Sequence, residues 1–403
     1  MGIASKAMTS NRIPRSALFN RFTTQVAVST VAVVLVQGNL PYLLQRAGLS
    51  AALLGTLYFL ARLGAILGGM AGPWMLRRST PHAASAAAEA LNLACCLILY
   101  WAVLHSNAFL MAAAIAMRGL STGFIPNVRV TWMKALPDQE ISRRVLIITR
   151  VIVQSSYGLI GVLLLLGVAQ PLALALVLVD AATSALAIPL FLSMRDFGVE
   201  AIAKPAAGKT ALGALFTRKN LPLLIGDLSL AIAMGGTNIF LVRAGEGLFR
   251  SSGGYGFSLV VYAAAFLLGG FIVQARGGLL QIILKRSEPL APWMLMACLA
   301  ILSWTGLPTA WHAAAFFIMF LAYPVFLLTL ETTWFRVTSQ TDIGPIFANR
   351  QMLVSLVLAV GEILYPRWSL GGELAVRLGT ALIAALTYLL LIHERRSDLQ
   401  PAP

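Results

Sequence analysis

The sequence predicts an all-α membrane protein of about twelve transmembrane helices in two pseudo-symmetric six-helix halves. Three observations predict it. The 403 residues are 59% hydrophobic and only 11% charged, with a mean hydropathy of +0.82, more apolar surface than a soluble domain buries. Apolar runs reach about twenty residues, the length at which a helix crosses the hydrocarbon core with its backbone polar groups satisfied. The chain also repeats itself. Thr131-Trp132-Met133-Lys134 returns as Thr333-Trp334-Phe335-Arg336, Arg46-Ala47-Gly48 as Arg243-Ala244-Gly245, and Gly68-Gly69 as Gly269-Gly270. Similarity at three separated places marks a duplicated unit.

Residues 1–21 carry Lys6, Arg12, Arg15 and Arg21 and read as a cytoplasmic tail, because no small-residue cleavage site follows the first apolar run. The first half then occupies residues 22–194. Span one, Phe22 to Leu44, holds Gln37, Asn39 and Pro41, which are costly against lipid and are expected to face a protein interior. Span two, Ala51 to Leu76, has Arg62 near its middle and Gly64, Gly68, Gly69 and Gly72, small residues that let a neighbouring helix approach. Span three, Ala83 to Val103, carries Glu89. Span four, Ala108 to Ala135, carries Arg118 and Arg129. Span five, Val145 to Leu166, has Arg150 and Gln154, and span six, Leu172 to Ser193, has Asp180 at mid-depth. Residues 195–220 mix Lys, Pro and Gly and read as a cytoplasmic linker.

The second half, residues 221–393, places spans seven to twelve at Leu221 to Val242, Gly256 to Val273, Pro289 to Trp304, Trp311 to Phe335, Pro345 to Tyr365 and Leu374 to Ile392. Residues 394–403 form a second tail. The tails and the loops on their side hold about twenty Lys and Arg; the opposite loops hold Arg46, Arg243, Arg250 and Arg367. The multi-pass protein is expected in a bacterial-type inner membrane, and that asymmetry predicts both termini in the cytoplasm. It also accounts for the net charge of +15 without nucleic acid as a partner; membrane lipids surround the protein.

Charged groups inside spans are the functional candidates, since each costs about 2.5 to 3.5 kcal/mol to insert. Arg276, Arg336 and Arg377 lie near span ends and are expected to snorkel to the interface. Arg62, Arg118 and Asp180 lie too deep for that and are expected to line a polar cavity or to pair. Two cations against one carboxylate predict a positive cavity and a small anionic substrate, bound by Arg62 and Arg118 with Gln37 and Asn39. Asp180, Glu89 and Asp227 are the carboxylates expected to couple proton movement, with Glu362 near the outer end of span eleven as a further one. Arg129 and Glu331 occupy equivalent repeat positions and are expected, with Arg350 and Asp227, to form an inner gate; static pairs inside each half are the alternative. Tyr58, Tyr157, Tyr262 and Tyr323 can stack on a ring-bearing ligand or simply pack.

Other chemistry is not signalled. The four histidines have no ligand spacing for a metal, Cys95, Cys96 and Cys298 sit in apolar runs, and neither a phosphate-binding loop nor a nucleophile turn is present. No enzyme, cofactor or metal is expected, and the protein is expected to work as a monomer.

Two six-span halves, a basic middle loop and Arg118-Gly119-Leu120-Ser121-Thr122-Gly123 in span four resemble the major facilitator superfamily. The resemblance covers nearly the whole chain. It implies that Arg118 lies in a central cavity and takes part in proton coupling. Gly72-Pro73-Trp74-Met75-Leu76-Arg77-Arg78 keeps the family's glycine and basic pair between spans two and three but has Leu76 where an aspartate is usual. The usual tie from that aspartate to a span-eleven arginine, Arg350 here, is therefore missing or made by another acid, such as Glu331. Span five has Tyr157-Gly158-Leu159-Ile160-Gly161 in place of the Gly-Pro motif of drug/proton antiporters. The segment from Arg118 to Arg150 is similar to the branch that moves siderophores and related metallophores. These readings converge on a proton-coupled secondary transporter working by alternating access. The alternatives are a multidrug or lipid-like solute exporter and a non-transporting receptor or partner subunit.

Overall fold

The structure, a computed structural model, describes residues 15–135, 139–167, 170–193, 212–217, 220–249, 254–274, 289–304, 306–337 and 343–398, with side chains left undescribed at 126–150 and at scattered positions that include Glu331. The described elements are helices: α1 Arg15–Arg46, α2 Ala51–Arg78, α3 Pro81–Leu104, α4 Ala108–Ala135, α5 Gln139–Leu165, α6 Gln170–Leu192, α7 Leu212–Leu215, α8 Leu221–Met234, α9 Thr237–Gly247, α10 Gly254–Gln274, α11 Ala291–Ser303, α12 Thr309–Val337, α13 Ile343–Leu364 and α14 Leu370–Asp398, with a 3₁₀ turn at Tyr365–Arg367. Each span expected from sequence falls on a helix except the seventh, which is the bent pair α8 and α9. By length and composition, eight described helices can cross a membrane, or nine if the bent pair is one span, with Val151–Leu165 and Ala291–Ser303 shorter apolar helices. The expected count of twelve is therefore not reached by that measure. Most of the expected linker lies outside the described residues.

Local chemistry marks the helix ends. Gly48 takes φ 85°, a left-handed conformation open to glycine, and turns the chain out of α1. Ser50 caps α2 by accepting from the Leu53 amide, and Asn107 caps α4 by accepting from that of Leu110.

Packing repeats in the two parts of the chain. Within the first, α2 packs on α4, α3 on α4 and α6, and α1 on α5 and α6. In the second, α10 packs on α12, α11 on α12 and α14, and α8 on α13 and α14. The two most extensive contacts between the parts, α5 with α10 and α2 with α13, are equivalent under the same correspondence. The pseudo-symmetry expected from the sequence repeat is thus present in the packing.

Glycine sets the closest of these approaches. Gly64 and Gly68 lie against the α4 backbone at Ala116 and Leu120, while Gly119 and Gly123 lie against that of α2 at Ala61 and Ala65. The two helices interlock without intervening side chains, and Arg118 emerges beside this contact. Gly161 and Gly256 bring α5 and α10 together, since a Cβ on either would lie 2.7 Å from the other's carbonyl oxygen.

Candidate functional site

Where the two parts meet, a cavity of about 400 Å³ opens among α1, α2, α4, α5, α9, α10 and α12. Its walls differ in chemistry. The first part contributes Gln37, Tyr58, Arg62, Arg118, Thr122 and Tyr157. The second contributes Thr237, Asn238, Tyr262, Phe266, Phe320 and Tyr323. Four of these second-part residues are aromatic and touch one another: Tyr262 stands edge-on to Phe320 at 4.9 Å between ring centres and tilted against Phe266 at 4.7 Å, and Phe266 lies 5.9 Å from Tyr323. Tyr157 reaches this cluster from across the seam, edge-on to Tyr262 at 5.7 Å. The first part's wall carries both arginines, and the facing wall carries most of the rings.

Arg118 is 5% exposed. Its Nη2 donates to Asp180 Oδ2 at 2.7 Å and to the Val33 carbonyl at 3.2 Å, while Nε has no partner among the described residues. Asp180 is in turn held by Asn92 at 3.3 Å and by the Cys96 thiol at 3.2 Å. Asn92 also donates to Ser184, Ser184 to Glu89 at 2.9 Å, and Glu89 accepts from Gln25 and Ser29. A buried polar run therefore leads from Glu89 through Ser184, Asn92 and Asp180 to Arg118 at the cavity, all within the first part.

Arg62 makes a different pair. Its Nε donates to Glu362 Oε1 at 3.2 Å, joining α2 to α13 across the seam. The Arg62 side chain is one-third exposed, whereas that of Glu362 is wholly buried. The expected excess of cation is accordingly corrected: Arg62 and Arg118 each have a carboxylate partner, so the four groups sum to no net charge. Glu362 lies near the end of its helix, as expected, and is buried behind the cavity wall.

The remaining candidates lie elsewhere. Asn39 is buried and donates to the Ala173 carbonyl at 2.9 Å, tying α1 to α6 away from the cavity. Asp227 receives two bonds from Arg350, at 2.6 and 2.8 Å, and one from the Trp334 indole. Both members of that ion pair belong to the second part, so it is a pair inside one half. The side chains of Arg129 and Glu331 lie outside the described residues. Arg377, expected to snorkel, is 1% exposed. It is gripped by Glu373 and the Ala233 carbonyl and lies over the rings of Phe240 and Tyr365 at 4.4 and 4.3 Å. A buried i, i+4 carboxylate and two ring faces replace water there. Glu373 also receives Arg243, which donates to the Tyr365 and Trp368 carbonyls.

Sequence reading treated span seven as continuous. It breaks at Gly235-Gly236 with a bend of 41°, and Gly236 takes φ 61°. The break places Thr237 and Asn238 on the cavity wall, with the amino end of α9 beside it. The Gly-Gly-Thr-Asn run was the available signal. Among the described residues no group of His, Cys, Asp and Glu could hold a metal ion.

No protein-family model matches the chain, and no curated protein matches its sequence. Solved structures do match. The nucleoside transporter NupG aligns with a TM-score of 0.71 at 11% identity, over 93% of this chain and 98% of its own. A bacterial homologue of the iron transporter ferroportin, in an inward-facing state, gives 0.69 at 11% over 93% and 98%. The human organic anion transporter MFSD10 gives 0.63 at 15% over 94% and 100%. At such identities the likeness is one of fold.

Proposed function

We propose that this chain, whose fold is that of the major facilitator transporters, is a secondary transporter that moves a small anionic, ring-bearing organic solute across an inner membrane. The observation that carries the reading is the two-faced cavity: arginines on one wall, a cluster of aromatic rings on the other, at the seam between two pseudo-symmetric parts. Arg118, whose Nε has no partner among the described residues, and Arg62 bind the anionic group, and the amino end of α9 adds the positive end of a helix dipole. Tyr262, Phe266 and Phe320 receive the ring. Gln37, Thr237 and Asn238 supply neutral hydrogen bonds.

Transport follows by rocking of one half against the other, with both tails in the cytoplasm. In that orientation the connections at 47–50, 105–107 and 365–369 face outward. Proton coupling is supported by buried carboxylates linked to the cavity, Asp180 and, through the polar run, Glu89. Asp227 is held inside one half with Arg350, and Arg129 with Glu331 remains the proposed inner latch. Among cargoes, a siderophore or metallophore with catecholate or carboxylate groups fits both walls. The solved neighbours carry different solutes by their names, so cargo is argued from the cavity.

Uptake and efflux of labelled siderophores, metal-loaded and metal-free, and of simple aryl carboxylates in proteoliposomes with and without a pH gradient tests this. Gradient-driven movement is expected, with Arg118→Ala lowering apparent affinity roughly 10- to 100-fold, the loss of one charge-assisted hydrogen bond of about 1.5 to 3 kcal/mol. Binding without movement supports a receptor instead. A second reading, export of drug-like or lipid-like solutes, is favoured by the balanced charge and the aromatic wall; it predicts broad cargo indifferent to Arg118→Ala.

A further inference from the structure

We infer that Glu362 is the proton-sensing group that couples the seam to the cavity, with Arg62 as its latch, so that an anion and a proton are taken up together. The inference deepens the transport reading above and rests on its orientation of the chain.

A proton drives rocking only if the group that binds it has a different environment in the two orientations. The described partners of Asp180 do not change in this way. Arg118, Asn92 and Cys96 all belong to the first half, and they travel with it. Of the described ion pairs, Arg62 with Glu362 alone joins the halves. Parting α2 from α13 must break it.

The pair sits where parting is decided. Gly55 of α2 lies directly against the Glu362 carbonyl and Pro366, and the Tyr255 hydroxyl donates to the Gly38 carbonyl at 2.7 Å across the same outer seam. Arg62 faces the cavity below it. Around Glu362 stand Arg62 and Tyr58 from α2, Tyr157 from α5, and Arg377 and Glu373 from α14. Arg377 is already held by Glu373, so Arg62 is the cation Glu362 can lose.

Its second oxygen, Oε2, is buried and has no hydrogen-bond partner among the described residues. A proton can settle there without displacing any of the described bonds. If a solute anion draws Arg62 into the cavity, Glu362 is left as a buried lone carboxylate, a costly species unless protonated. Protonation in turn frees Arg62 for the anion. By linkage each event favours the other, which makes a monoanion and one proton an electroneutral pair of passengers.

The test needs no cargo. Spin labels at Ala52→Cys and Arg367→Cys, exposed positions on the two sides of the outer seam, report its opening by pulsed dipolar spectroscopy in full-length protein. The long-distance population is expected to grow as pH falls from about 8 to 5. Glu362→Gln should lose the pH response and hold the long distance throughout. Arg62→Gln, a second route to the same broken latch, should deplete the short distance at high pH. A pH-independent wild type, or a wild-type response in Glu362→Gln or Arg62→Gln, overturns the inference. If the distance titrates through Glu362 while proteoliposomes move no solute, the latch stands and the transport reading falls; if solute moves and Glu362→Gln titrates normally, the reverse holds.

Discussion

Asp227 shows what a buried charge costs once its partner is removed. Arg350 grips it at two points and Trp334 adds an indole donor, all with little exposure to water. Asp227→Ala removes the carboxylate that Arg350 grips at two points, and about 3 to 5 kcal/mol of destabilisation is expected. The double change Asp227→Leu with Arg350→Met removes both charges and should recover most of it, leaving the smaller loss of the indole's acceptor. Thermal unfolding in detergent, followed by size exclusion, reads both. Recovery by the double variant separates a static pair from a functional one. Arg118 and Asp180 differ in this respect, because Arg118 also faces the cavity. That contrast was only half legible in the sequence. Depth along a span marked Arg62, Arg118 and Asp180, but the partners of Arg62 and Arg377 depend on which helices touch. The link from Arg62 to Glu362 spans 300 residues, and no spacing rule reaches that far.

Helix α4 owes its position to glycine. A side chain at Gly123 would run into the α2 backbone at Ala65, so Gly123→Val forces the helices apart and carries Arg118 off its contacts. A loss of about 1 to 3 kcal/mol is expected from such overpacking, read as a lowered thermal midpoint. Gly371, with no atom near its would-be side chain, is the control, and Gly371→Ala should stay within about 0.5 kcal/mol. The glycine spacing in span two announced a close helix approach, though not its partner, because small residues one turn apart on apolar helices have few other uses. The break between α8 and α9 was less visible. A run of apolar residues on both sides masks it in any window long enough to find a span, and Gly235-Gly236 is also compatible with close packing.

For the whole molecule, composition and the internal repeat carried the fold, since apolar runs and pseudo-symmetry are properties of the chain taken in sequence. The cavity's second wall was less legible. Tyr262, Phe266 and Phe320 cluster only after α10 and α12 pack, and an aromatic inside a span carries the same signal whether it faces lipid, core or ligand. The pairing of the deep charges has a further consequence. Arg118 and Asp180 travel together inside the first half, so in the bilayer's electric field they move as a neutral unit and contribute no gating charge. Arg62 and Glu362 sit on opposite halves and part when the seam opens, and a lone charge carried across 100 mV would feel about 2.3 kcal/mol. If these four are the only charges that shift, transient currents from the empty protein on a supported membrane should respond to voltage through the seam pair alone and fall flat when Arg62→Gln and Glu362→Gln are combined.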